Sequence, residues 1–292
     1  PAGETVTAPE TVTSGLLRRW PLPMPDDSGD KHDRGTVLVV AGSVGVPGAA
    51  LLTGTAALRA GAGRLMVATT RSTAVALGVA LPEALVSGLP ETGDGGIHPR
   101  ALDEVMGMVG RAAAVVIGPG MTDADAVADL CAGVLDAVDR DGPILVLDAA
   151  AVTNLRQPVE LWERVILTPN RGELAALDGD PASEDLEERV GRLASQLKAV
   201  VSVRGVVSSP DGRNWRHDGG TVGLATSGSG DVLAGVIGGL AARGAEPPQA
   251  AVWGVHVHGR AGERLTARLG GIGFLARELL DEIPAILTEI AS

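Results

Sequence analysis

Six short, almost unbroken apolar runs recur along this chain: Val37–Ala41, Leu65–Ala68, Ala113–Ile117, Ile144–Leu147, Val165–Leu167 and Ala199–Val203. Runs of this length without polar alternation mark strands buried on both faces. Stretches of helical composition lie between them, at Gly48–Ala60, Pro99–Val109, Asp123–Val138, around Leu174 and at Glu184–Leu197. Strands alternating with helices predict an α/β fold of three αβα layers, a mainly parallel central sheet with helices on both faces. Val206–Ser209, the turn Pro210-Asp211-Gly212 and Asn214–Arg216 read as a hairpin, so the far edge of the sheet turns antiparallel. Gly230–Leu240, Pro248–Leu265 and Phe274–Ile290 read as helices. Pro1–Lys31 reads as a Pro- and Thr-rich extension with one short helix at Ser14–Trp20. With no repeat, coiled coil or second boundary, one domain over residues 1–292 is expected.

Hydrophobic residues make up 45% of the 292, enough for a large core, but aromatics are 2%, with no Tyr and one Phe. The core must therefore be built from Ala, Val, Leu and Ile. The formal charge of −12 argues against a general nucleic-acid or anionic-membrane partner, which would want a basic patch. It leaves nucleotides open, because backbone N–H groups hold phosphate locally. The single cysteine, Cys131, reads as a small core residue and fits a reducing cytoplasm. Pro1–Asp30 lacks a signal pattern, and the longest apolar run, Val232–Ala242, is too short to span a bilayer. A cytoplasmic protein is expected.

In an open parallel sheet, ligands bind beyond the carboxyl ends of the strands. The first such turn, Gly42-Ser43-Val44-Gly45-Val46-Pro47-Gly48-Ala49, is glycine-rich and opens a helix, but no Gly-Lys-Ser/Thr makes it a P-loop. Gly118-Pro119-Gly120 gives a flat ligand clearance, or simply packs closely. Asp148 stands where a carboxylate holds Mg²⁺, or caps the next helix. Asn170 and Glu173 lie one helical turn apart, the spacing of a capping pair and also of an amide and a carboxylate turned to one ligand. Gly228-Ser229-Gly230-Asp231 is the most specific element. Its glycines free N–H groups for an anion at the start of an apolar helix, and Asp231 stands where a base would help a hydroxyl attack a phosphoryl group. His256 and His258, two apart on a helix, do not form a metal pair, and His32, His98 and His217 lack partners at ligand spacing. No Gly-x-Ser-x-Gly elbow supports a hydrolase.

Seven motifs in this order form a recognisable set. They are Gly42-Ser43 with Gly45 and Gly48-Ala49, Ala56-Ala57-Leu58-Arg59 with Gly61-Ala62-Gly63, Leu81-Pro82-Glu83, Gly118-Pro119-Gly120, Leu147-Asp148, Leu167-Thr168-Pro169 with Gly172-Glu173, and Ser229–Gly235. Over roughly Gly35–Ala261 the chain resembles the ADP/ATP-dependent NAD(P)H-hydrate dehydratase family of the ribokinase-like superfamily. The resemblance implies a metabolite-repair lyase: a nucleotide, usually ADP in bacteria, phosphorylates the hydroxyl of hydrated NADH or NADPH with Mg²⁺ assisting. Loss of phosphate then restores the ring, leaving AMP and phosphate. It implies Asp231 as base, Gly228, Ser229 and Gly230 around the transferred phosphate, and Ala49, Gly120 and Asn170 at the hydrate. Arg204, Gly205, Val206, Val207 and Ser208 would approach the nucleotide, and Asp148 and Glu173 the Mg²⁺. It also implies a homo-oligomer, often a tetramer, with the Ala-rich C-terminal helices at the interface, and an epimerase, where one acts, as a separate protein. Three positions depart from the family's pattern: Asn170 replaces a His, Arg204 a Lys, and Asp33-Arg34-Gly35 a His-Lys-Gly. The Asn170/Glu173 pair with the Asp231 motif also resembles sugar or hydroxymethylpyrimidine kinases of the same superfamily. A non-catalytic nucleotide-binding relative is a third reading.

Overall fold

Strand β2 (Thr36–Val40) has every residue after the first buried, because its β-branched and leucine side chains leave the sheet on both faces. A computed structural model describes residues 9–24, 34–179 and 185–292. In it β2 pairs in parallel with β3 (Arg64–Thr70) on one side and β5 (Ala114–Ile117) on the other. The parallel series continues through β6 (Ile144–Leu147), β7 (Val165–Leu167) and β8 (Val200–Val203), then turns antiparallel into β9 (Val206–Ser208) and β10 (Asn214–Arg216). Two edge strands lie beyond the expected set. Ala84–Leu89 forms β4 beside β3, and Glu10–Thr11 forms β1, parallel to β10. The ten strands run β1-β10-β9-β8-β7-β6-β5-β2-β3-β4.

Alternate strand residues enter two separate cores, as the two-residue period of a strand requires. Val37, Val39, Val116 and Val146 pack under α2 (Pro47–Arg59), α9 (Ser229–Ala242), α10 (Pro247–Leu269) and α11 (Ala276–Ala291). Leu38, Val40, Val115 and Leu147 pack under α4 (Leu102–Val109), α5 (Ala124–Ala137) and α8 (Leu186–Leu197). These are the three expected layers. The missed helix α3 (Arg71–Ala80) buries only Leu77, so it carries little apolar periodicity. Cys131 is a core residue of α5, where burial pushes its thiol up to about 12.

The core holds only a few aromatics, Trp162, Trp215, Trp253 and Phe274 among the described residues, and where α9 meets α2 and β5 the packing is at backbone distance. A Cβ on Gly235 would lie 2.3 Å from the Thr53 carbonyl oxygen, and one on Gly239 2.3 Å from that of Ala57. Both contacts bind α9 to α2. A Cβ on Gly238 would lie 2.3 Å from Val116 Cγ2, so α9 also lies flat on β5. The Ala-rich α10 is spent on this interior, with Ala250, Ala251 and Ala261 all fully buried. No helix among the described residues is long and apolar enough to cross a membrane.

Candidate active site

The carboxyl ends of the parallel strands bring five loops to one edge of the sheet. After β2, Gly42 adopts φ +81° and its N–H donates to the Pro119 carbonyl at 2.8 Å, joining the first loop to the Gly118–Gly120 turn. A Cβ on Gly120 (φ +62°) would lie 2.5 Å from that of Ala49, so these two residues abut. On the other side of the turn, a Cβ on Gly118 would lie 1.9 Å from the Asp148 carbonyl oxygen. Three segments far apart in sequence thus form one continuous floor.

Asp148 is buried, 5% exposed, and accepts a hydrogen bond from Thr168 Oγ1 at 2.7 Å. The residue at the cap position of the following short helix α6 (Ala150–Thr153) is Ala149, so Asp148 is not spent on capping. Ala149 takes φ +47°, a strained conformation for a residue with a Cβ, directly beside this carboxylate. Burial pushes the Asp148 carboxyl up to about 7; the Thr168 bond opposes that shift, and the nearby Glu173 and Asp231 charges add to it. A folded-state value above the ordinary 3.8 means that the folded protein holds this proton more tightly. Its contribution to stability is therefore fully present below pH 4 and is lost as pH rises through 7. Asp148→Asn keeps the acceptor for Thr168 and removes the charge. In EDTA at pH 8 it should be more stable than the parent by about 2 kcal/mol or more. The gain should vanish near pH 4, as read from urea unfolding midpoints; an equal gain at both pH values would show that the charge is not its cause.

Asn170 and Glu173 take the capping alternative. Asn170 Oδ1 accepts from the Gly172 and Glu173 N–H groups at 2.8 and 3.0 Å, while Glu173 accepts from Asn170 N at 2.9 Å and Nδ2 at 2.7 Å. This locks the start of α7 (Arg171–Asp178). Burial still raises the Glu173 carboxyl, and its charge reaches Asp148.

Helix α9 opens the opposite wall. Gly228 (φ +88°) precedes it without a side-chain cap, and the N–H groups of Gly230 and Asp231 in its first turn have no acceptor within the helix. Gly230 is exposed with open space around it, while Ser229 is buried. Asp231 is half-buried, and burial raises its carboxyl. The first-turn amides and this carboxylate face the same edge as Asp148, close enough for the two acids to sense each other. Among the described residues no three His, Cys, Asp or Glu side chains cluster closely enough to enclose a metal by themselves.

Arg204 (φ +48°) and Gly205 (φ +91°) form the tight turn between β8 and β9 at this same edge. Val206, Val207 and Ser208 lie in the buried strand β9, so only Arg204 and the backbone of the turn face outward. Asp33 and His32 lie outside the described residues. Arg34–Gly35 and the Arg59–Gly63 segment sit at the opposite, amino edge, where Gly63 N–H donates to the Gly35 carbonyl at 3.1 Å. The latter motif is thus structural. Sequence reasoning missed His258, whose Nε2 lies 2.9 Å from Ser229 Oγ. The two residues are 29 apart, and only the fold joins them.

Known proteins resemble this chain along nearly its whole length. The family profile described as NAD(P)H-hydrate dehydratase matches residues 37–285. An ADP-dependent (S)-NAD(P)H-hydrate dehydratase of Xanthomonas campestris is 48% identical over 96% of both chains. The Bacillus subtilis ADP/ATP-dependent NAD(P)H-hydrate dehydratase, co-crystallised with ATP/Mg²⁺, superposes with a TM-score of 0.82 at 32% identity, over 96% of this chain and 98% of that one. A ribokinase-like protein of Enterococcus faecalis shares the fold, with a TM-score of 0.83 at 24% identity over 97% and 96% of the two chains. Ribokinase-like in architecture, the chain belongs to the NAD(P)H-hydrate dehydratase family.

Proposed function

We propose that the protein is an ADP-dependent (S)-NAD(P)H-hydrate dehydratase that returns hydrated NADH or NADPH to the reduced dinucleotide. The observation that carries this reading is the pairing of free first-turn amides with the half-buried Asp231 at the start of α9. The amides of Gly230 and Asp231, with Gly228 and Ser229 shaping the turn, hold the phosphate to be transferred. Asp231, made more basic by burial, takes the proton of the hydrate hydroxyl as its oxygen attacks the phosphoryl group. Departure of phosphate then restores the ring double bond, with AMP as the other product. Ala49 and Gly120 offer a flat, small-residue wall to the hydrate, with Asn170 above it. Arg204 reaches toward the phosphates or adenosine of the nucleotide.

The donors suit Mg²⁺ in one way. Glu173 is occupied by Asn170, so Asp148 is the carboxylate left with capacity, and its raised proton affinity would be relieved by a cation. One carboxylate joined by nucleotide phosphates and water is a usual Mg²⁺ shell. When bound there, the ion would neutralise charge on the transferring phosphoryl group. The same reading takes residues 1–292 as one catalytic domain acting in the cytoplasm, assembled as a homo-oligomer up to a tetramer.

The test is direct. Purified protein with hydrated NADH, Mg²⁺ and either ADP or ATP should restore the reduced-nicotinamide absorbance, faster with ADP. A stable phosphorylated product without recovery of absorbance would assign the chain to the small-molecule kinases of the superfamily instead.

A further inference from the structure

Helix α10 is apolar and buried over most of Ala250–Val257, yet it places a histidine, His258, against the first residue of α9. Its Nε2 lies 2.9 Å from Ser229 Oγ, and the ring also interacts with the Ser229 main chain. Ser229 is 5% exposed, so water does not compete freely for its hydroxyl. The next residue, Gly230, is exposed and has nothing within 4 Å of a built Cβ, so it cannot hold the turn in place. Gly228 before it has no side chain either, and makes no cap. A turn with glycine on both sides of Ser229 has a wide choice of backbone conformations. The contact with His258 is the side-chain hydrogen bond that restrains it.

We propose that His258 is a positioning residue for the phosphate-binding turn, donating its Nε2–H to Ser229 Oγ so that the serine hydroxyl proton is free to point at the bound phosphate. A neutral imidazole has one N–H and one lone pair, so the ring must be neutral and in the Nε2–H form for this arrangement. Burial holds His258 near 4, which keeps it neutral at physiological pH. The imidazole thus does not touch substrate; it acts through Ser229. This inference rests on the proposed reading of the α9 turn as the phosphate site, and its test uses nucleotide binding so that it stands apart from turnover.

The experiment is a double-mutant cycle on the full chain with His258→Ala, Ser229→Ala and the pair together. ADP affinity is measured by calorimetry in Mg²⁺, and thermal melts check folding. Each single variant should weaken ADP binding about tenfold, and the double variant should be no weaker than the worse single, because both remove one linked interaction. His258→Gln, which keeps an N–H donor, should recover affinity to within about threefold of the parent. Imidazole ¹⁵N shifts should report Nε2 as the protonated nitrogen. Additive losses near a hundredfold in the double variant would overturn the proposal, as would an Nδ1–H tautomer or parental affinity in His258→Ala. If His258→Ala melts early, the Gln variant and the nitrogen shifts decide the matter. Parental protein that binds ADP but leaves hydrated NADH unchanged would defeat the dehydratase reading and leave this one standing. Failure to bind any adenine nucleotide would defeat both.

Discussion

Asp231→Asn should lower hydrate turnover by about a thousandfold while leaving ADP affinity within roughly threefold of the parent. The substitution preserves shape and removes the carboxylate placed to take a proton at the mouth of the anion pocket. General bases typically contribute about 10² to 10⁴ in rate, and Asp231 has burial to raise its basicity. Asp148 is poorly placed to substitute, since it lies below the surface and accepts from Thr168. Because Asp231 is among the charges that push the Asp148 carboxyl upward, the Asn variant should also let Asp148 ionise at lower pH. Steady-state rates with hydrated NADH, alongside calorimetry with ADP, read both effects. Turnover within tenfold of the parent would remove Asp231 from the role of base.

Gly118→Ala should destabilise the fold by about 3 kcal/mol or more and lower the melting temperature by roughly 6 °C or more. Two independent penalties coincide at this residue. Its φ of +119° is closed to residues with a Cβ, and the added atom would stand 1.9 Å from the Asp148 carbonyl oxygen and 2.8 Å from Ala151 Cβ. Neither neighbour is the free end of a flexible side chain. The backbone after β6 would have to move, and Asp148 with it. Thermal melts on soluble variant measure the loss; a shift under 1 °C would show that the turn yields more readily than its contacts indicate.

The parts of the fold that were readable from sequence are those whose surroundings are uniform. Strands β2, β5, β6 and β7 are apolar on both sides because helices cover both faces, and that burial is written in Val37–Val40 or Ile144–Leu147 without interruption. Strand β4 escaped notice because it is an edge: Ser87 and Gly88 break its pattern, and Leu85 is exposed. Strand β1 is two residues long, too short for any periodicity. At the site, the loops after the strands were legible as places, since topology alone puts ligands there. Their internal choices were not. Asn170 and Glu173 satisfy a helix start and a ligand equally well on paper, and only the hydrogen bonds of α7 show the capping box. His258 was read against His256, its neighbour in sequence, whereas its partner is Ser229 across the α9–α10 packing. The Arg59–Gly63 segment, distinctive as a motif, belongs to the amino edge, where Gly61 at φ +106° turns the chain into β3.

The glycine contacts between α2 and α9 also bear on how the substrate range of such a protein could drift. Ala49 lies near the start of α2 and Asp231 near the start of α9, so the spacing of pocket wall and base is set where Gly235 and Gly239 meet the backbone at Thr53 and Ala57. At Gly235 and Gly239 the helices meet backbone to backbone with only the Ala56 methyl beside them, so that part of the seam offers no long side chain to trim. A larger or differently shaped hydroxyl substrate cannot be admitted by remodelling this seam, because any added carbon pushes whole helices apart. Variation is left to the rim, where Val44 and Val46 on one side and Ile272 and Leu275 on the other are exposed. Divergent members of such a lineage would then share a fixed distance between wall and base and differ at the lips of the cleft.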